Sequence, residues 1–102
     1  MGELESAIER RVVRWAEKQD IIVWKLNVIG RRGLPDRMFI LPPGSSHSII
    51  FIEFKRRGEK ARKLQEWIHN RLRERGVPCL TTDNAHEAIE FICEQSGGVV
   101  TA

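Results

Sequence analysis

Two cysteines, Cys79 and Cys93, and three histidines are all the thiolate and imidazole zinc ligands that this chain offers. Two thiols need histidine help to build a four-ligand structural zinc site, and His47, His69 and His86 stand at no metal-like spacing. The expectation is two reduced, buried thiols in an intracellular, cytoplasmic protein. There is no long apolar run, so the sequence contains no candidate membrane span. The opening, Met1-Gly2-Glu3-Leu4-Glu5, is acidic and polar, unlike a secretory leader, and it fits an acylation site poorly. Phosphate-loop, dinucleotide and Gly-x-Ser-x-Gly fingerprints are missing, as are helix-turn-helix and zinc-finger patterns. These absences argue against a serine nucleophile, a nucleotide cofactor and a dedicated base-reading module.

What is present suits one compact domain of 102 residues, with 41% hydrophobic and 30% charged residues. The net charge of +3 is unevenly placed. Residues 1–24 carry −1, residues 25–52 carry +3, residues 53–75 carry +5 and residues 76–102 carry −4. A basic middle suggests a polyanionic partner, although a solvated basic helix face would read the same way.

Residues 4–18 read as an amphipathic helix with Leu4, Ile8, Val12, Trp15 and Ala16 in one stripe. Glu5 and Glu9 interrupt its apolar arc, and carboxylates there need a partner or a metal. Residues 21–26 read as a strand. A loop containing Gly30, Arg31, Arg32 and Gly33 leads to Pro35-Asp36 and a second strand, Arg37 to Leu41. Residues 42–48 are a turn, and Ile49 to Lys55 is a third strand. A helix from Lys60 to Arg75 should turn Ala61, Leu64, Trp67, Ile68 and Leu72 inward and end at Gly76. Val77 to Thr81 is a fourth strand. A last helix, capped by Asp83 or Asn84, runs to about Cys93. Residues 1–95 form the domain, and residues 96–102 a frayed tail. Strands three and four, joined through a helix, require a right-handed parallel crossover. An α/β fold follows, with a central four-stranded mixed sheet flanked by helices. Trp15, Trp24 and Trp67 are expected in the core rather than stacked on bases.

Glu53 and Lys55 are two apart on a strand and share a face, whereas Phe54 points the other way. Alone they could be a salt-bridged strand end, and Asp36 after Pro35 could be a turn aspartate. Antiparallel pairing through the 42–48 turn would bring them together. Asp36 and Glu53 could then hold one Mg²⁺, with the Phe54 carbonyl as a further ligand and Lys55 beside an attacking water. Phosphodiester hydrolysis needs such parts: carboxylates to hold a cation and an ammonium to orient the nucleophile.

Pro35-Asp36, sixteen residues, then Glu53-Phe54-Lys55 resembles the PD-(D/E)xK nuclease signature. Arg32-Gly33-Leu34-Pro35-Asp36-Arg37 is similar to the "rGxPDr" segment of the VRR-NUC family (virus-type replication-repair nuclease). Leu64-Gln65, Leu72 and Gly76-Val77-Pro78 are similar to its later segments. The resemblance implies a restriction-endonuclease-like core, αβββαβ(α). It implies a site of Glu9, Asp36, Glu53, Lys55 and Gln65, with Glu5 as second choice for the helix-1 carboxylate. It implies Mg²⁺ or Mn²⁺ and no small-molecule cofactor. The segment after Lys55 is more charged than the family pattern, so Arg31, Arg32, Arg56, Arg57, Lys60, Arg62 and Lys63 are candidates for DNA backbone contact. Stand-alone members imply a homodimer that cuts four-way (Holliday) junctions, two strands needing two sites. A flap or replication-fork nuclease, a non-catalytic DNA-binding module and a restriction-type enzyme are the alternatives. Candidate dimer surfaces are Ala88, Ile89, Phe91 and Ile92 of the last helix, and the exposed side of the hairpin.

Overall fold

The computed structural model describes residues 5–27 and 32–102. Arg31, one of the expected DNA contacts, and the first residues of the expected first helix lie outside the described residues. The element order is α1 (Glu5–Glu17), β1 (Ile22–Lys25), β2 (Arg37–Ile40), β3 (Ile49–Phe54), α2 (Lys63–Glu74), β4 (Cys79–Thr82) and α3 (Ala85–Ser96). The four strands form one sheet in the order β1-β2-β3-β4. β1, β2 and β3 are antiparallel neighbours, and β4 runs parallel to β3. This is the mixed αβββαβα sheet that the alternation of periods predicts.

Alternation along the strands divides the core. Phe39, Ile50, Ile52 and Phe54 share one face, where they bury against Ile8, Val12 and Ala16 of α1 and Ala85, Ala88 and Ile92 of α3. Both of these helices therefore cover the same side. The other face carries Trp24, Met38, Phe51 and Cys79 in one register row, and Glu53 beside Thr81 in the next. Among the described residues, only α2, which packs over β4, covers it.

Several expectations change at this partly covered face. Leu64 (48% exposed) and Trp67 (58%) do not turn inward; His69 is the buried residue of α2. The reason is the sheet surface beneath. Glu53 and Thr81 offer polar groups there, so α2 docks through Gln65 and His69, one turn apart, and not through its most apolar stripe. Trp24, expected in the core, is 55% exposed: α1 packs on β1 from the other face, and α2, over β4, lies at the far edge of the sheet. Trp15 does pack against the core.

The expected α2 boundary also moves. Lys60 lies outside the helix, and Arg62 is its N-cap. Gly76 ends the helix as predicted, at φ 78°, with the amide of Val77 donating to the carbonyl of Leu72. Asn84 caps α3, its side chain accepting from the Glu87 amide. Residues beyond α3, expected to fray, are tied back: Val100 is 3% exposed and its amide donates to the Ser96 hydroxyl. Of the four apolar residues of α3 expected at a dimer surface, Ala88 and Ile92 are core residues, Phe91 packs on the core and Ile89 is half-buried. Both cysteines are free. Burial pushes the Cys79 thiol up to about 12, which makes it a poor nucleophile.

Candidate active site

The candidate residues meet at one end of β3. The β2–β3 register sets Arg37 opposite Ile52, which places Asp36 level with Glu53 and Phe54. The Phe54 amide donates to the Asp36 carboxylate at 3.0 Å, fixing the aspartate to the next strand. From the helical side, α1 brings in Glu5 and Glu9, one turn apart. Glu5, Glu9 and Asp36 each offer an oxygen, and these oxygens lie within 4.8 Å of one another. Carboxylate oxygens so close repel one another, and positive charge between them offsets that repulsion.

Glu53 stands beside them. It is 4% exposed. Its Oε2 lies 3.4 Å from the Lys55 ammonium and accepts from the Gln65 side-chain amide at 3.1 Å. Its Oε1 is buried and has no hydrogen-bond partner among the described residues. Burial pushes the Glu53 carboxyl up to about 7; the Asp36 charge adds to the shift and Lys55 opposes it. Burial also raises Asp36, against the Phe54 amide, which favours the charged form. Burial raises Glu5, and the Asp36 charge adds to it.

Gln65 does two jobs. Its amide nitrogen donates to Glu53, while its amide oxygen accepts from the Arg62 backbone N–H at 3.0 Å. The same side chain therefore closes the first turn of α2 and anchors that turn to β3. One turn later, His69 Nδ1 lies 3.1 Å from the Thr81 hydroxyl, and Thr81 is the register partner of Glu53. Burial lowers His69 to about 4, so the ring is neutral.

The loop before Asp36 is held just as closely. Gly33 has φ 80°, and a Cβ there would lie 2.7 Å from Ile68 Cδ1 and 3.0 Å from Leu64 Cγ. Only glycine lets this loop press on α2.

The structure thus brings Glu5, Glu9, Asp36, Glu53, Lys55 and Gln65 together, and it distinguishes the two helix-1 carboxylates. Glu9 is ion-paired with the Arg37 guanidinium. Glu5 is influenced by Asp36 and Lys55, and its charge in turn acts on Glu53. Among the basic candidates, Arg32, Arg57, Lys60, Arg62 and Lys63 are exposed, and Arg56 pairs loosely with Glu59 at 3.7 Å. Sequence reasoning gave no role to Arg37 or to the His69–Thr81 pair. Arg37 follows directly on Pro35-Asp36, but nothing in the sequence pairs it with α1. His69 lies four residues after Gln65, which was the one available signal.

Carboxylates from a helix, from the residue before β2 and from β3, with a lysine two residues after the last of them, form the arrangement that the resemblance to nucleases implies for this α/β fold. No family model matches the chain. It is 39% identical over 80 residues, 78% of the chain and 83% of the relative, to the protein named "Putative nuclease p44" of Acyrthosiphon pisum secondary endosymbiont phage 1. It superposes on a solved "VRR_NUC domain" with a TM-score of 0.76 at 29% identity, covering 86% of this chain and 92% of that one. A second solved structure, "VRR_NUC domain protein", shares the fold with a TM-score of 0.76 at 17% identity, over 98% of this chain and 93% of that one. The chain belongs to the VRR-NUC family of nuclease domains. No described helix is long and apolar enough to cross a membrane.

Proposed function

We propose that the chain is a Mg²⁺- or Mn²⁺-dependent DNA endonuclease that selects branched substrates, four-way junctions first, and acts as a homodimer. The observation that carries the reading is the set of three carboxylate oxygens from Glu5, Glu9 and Asp36, within 4.8 Å of one another, next to the half-empty Glu53 carboxylate and Lys55. The donors fit a hard cation: they are all oxygens, and Glu53 Oε1 is buried without a partner. Asp36, Glu53, the Phe54 carbonyl and a helix-1 glutamate would hold the ion. Glu5 takes that last role in preference to Glu9, whose charge is already met by Arg37. A bound cation supplies positive charge that polarises the scissile phosphodiester and makes a water more acidic.

The chain's own residues do the rest. Lys55 orients the attacking water and offsets negative charge growing on the phosphate oxygens. Gln65 holds Glu53 in one rotamer. Arg32, Arg56, Arg57, Lys60, Arg62 and Lys63 bind backbone phosphates, as would Arg31. The sequence carries no helix-turn-helix or zinc-finger pattern, so selection rests on charge and on the shape of the substrate. The partner copy would dock on the open sheet face, where Ile22 (51% exposed), Trp24 and Ile49 (41%) lie in adjacent register rows.

Cleavage assays with Mg²⁺ or Mn²⁺ on a synthetic four-way junction, a flap and a linear duplex test the reading. Junction cutting that disappears in Asp36→Ala while DNA binding survives is the expected outcome. Equal rates on all three substrates would remove the claim of branch selection. If Mn²⁺ supports no cleavage of any DNA, the chain is a binding module. Light scattering of wild type and Trp24→Glu decides the dimer.

A further inference from the structure

Among the described residues, Trp67 is the most exposed of the large apolar side chains, at 58%. The Arg71 guanidinium sits 5.1 Å from its ring centroid, over one face of the indole. Beside the pair runs a hollow of about 260 Å³ lined by Leu34, Trp67, Ile68, Arg71, Leu72 and Arg75. Its only charges are the two arginines, and no carboxylate forms a salt bridge with either among the described residues. The hollow between α2 and the edge of β4, about 450 Å³, is different. Glu59, Glu66, Asp83 and Glu87 outnumber Lys60 and Arg73 there, which is the wrong sign for a polyanion. The Trp67 hollow is also tied to the candidate active site by chain. Leu34 is two residues before Asp36, and Leu64, against which Gly33 presses, directly precedes Gln65.

We infer that the Trp67–Arg71 pair is a stacking platform for an unpaired nucleobase of single-stranded DNA next to the cleaved strand. The inference rests on the nuclease reading for the identity of the polymer. Arg71 holds the indole in one orientation. The exposed part of the ring is open to a second flat partner, and every nucleobase has such a face. Leu34 and Leu72 give an apolar floor for the base edge, while Arg71 and Arg75 meet the flanking phosphates. A base inside an intact duplex cannot reach the ring. The platform therefore favours strands that branches, flaps and gaps leave unpaired.

The test is binding in metal-free buffer, where nothing is cut. A short oligo(dT) and a blunt duplex of equal length are titrated against wild type, Trp67→Phe, Trp67→Ala and the double variant Arg71→Gln/Arg75→Gln. Wild-type tryptophan emission should be quenched by oligo(dT), and this quench should shrink in Trp67→Phe. Trp67→Ala should weaken oligo(dT) binding about 10-fold, with Trp67→Phe in between and duplex binding nearly unchanged. The double arginine variant should lower the salt dependence of oligo(dT) binding by about two contacts. Equal losses on oligo(dT) and duplex, or no loss on either, overturn the platform. So does a fall in native mass in Trp67→Ala, because the hollow would then seat a second copy of the chain. Thermal melts of the variants, which alter only exposed side chains, should match wild type. If the protein cleaves nothing but the Trp67-dependent preference for oligo(dT) holds, the nuclease reading fails and the platform stands.

Discussion

Removing the Gln65 side chain should destabilise the fold and free Glu53 together, because one amide serves both. In Gln65→Ala the buried Glu53 Oε2 keeps Lys55 but loses its amide donor. A hydrogen bond to a charged group contributes about 1.5–3 kcal/mol. The second bond, from the Arg62 N–H, is exposed and water replaces most of it, so it adds about 0.5 kcal/mol. The expected loss is about 2–3 kcal/mol, or a melting point lower by roughly 10 °C. Gln65→Glu separates the two contributions. A glutamate there still accepts from Arg62, but it sets a second carboxylate against Glu53. The pair then takes up a proton on folding, so folded-state pKa values lie above the unfolded value. That contribution is present at low pH and lost as pH rises through about 7, the value to which Glu53 is already raised. Gln65→Glu should therefore be near wild type at pH 5.5 and clearly less stable at pH 8.5. Urea melts in EDTA at the two pH values measure this without metal linkage. A Gln65→Ala loss below about 0.5 kcal/mol, or a Gln65→Glu deficit equal at both pH values, refutes the reasoning.

Three more outcomes are expected. Mn²⁺ affinity, measured by calorimetry, should rise from pH 6 to pH 8, because Glu53 must lose the proton that burial helps it keep near pH 7 before it can ligate. Neutral His69 contributes stability that also rises with pH. Its folded value of about 4 lies below the unfolded value of 6.5, so its contribution is complete above 6.5 and is lost as pH falls toward 4. That loss reaches about 3 kcal/mol, and the acid melts of His69→Gln should lack it. Gly33→Ala should cost about 2 kcal/mol from its left-handed backbone and its contact with Ile68. Adding Ile68→Val, which removes the clashing Cδ1, should recover the contact part of the melting point but not the backbone part.

The sequence alone determined the elements and their order. Period-two and helical patterns are local, and the turn residues Pro42-Pro43-Gly44 and Gly76 mark boundaries wherever they occur. It also brought Asp36 to Glu53, because a short hairpin leaves one plausible pairing, and the alternation of Glu53, Phe54 and Lys55 fixed their faces. Packing decided the rest. Hydrophobic periodicity shows which stripe of α2 is most apolar, but the polar face of β3 and β4 beneath it selected Gln65 and His69 instead. That choice left Trp67 and Leu64 in solvent. Similarly, Glu5 and Glu9 are equivalent on a helical wheel. Only the fold brought the Arg37 guanidinium to Glu9 and set Glu5 near the charges of Asp36 and Lys55, because a contact between residues far apart in sequence is not set by any local pattern.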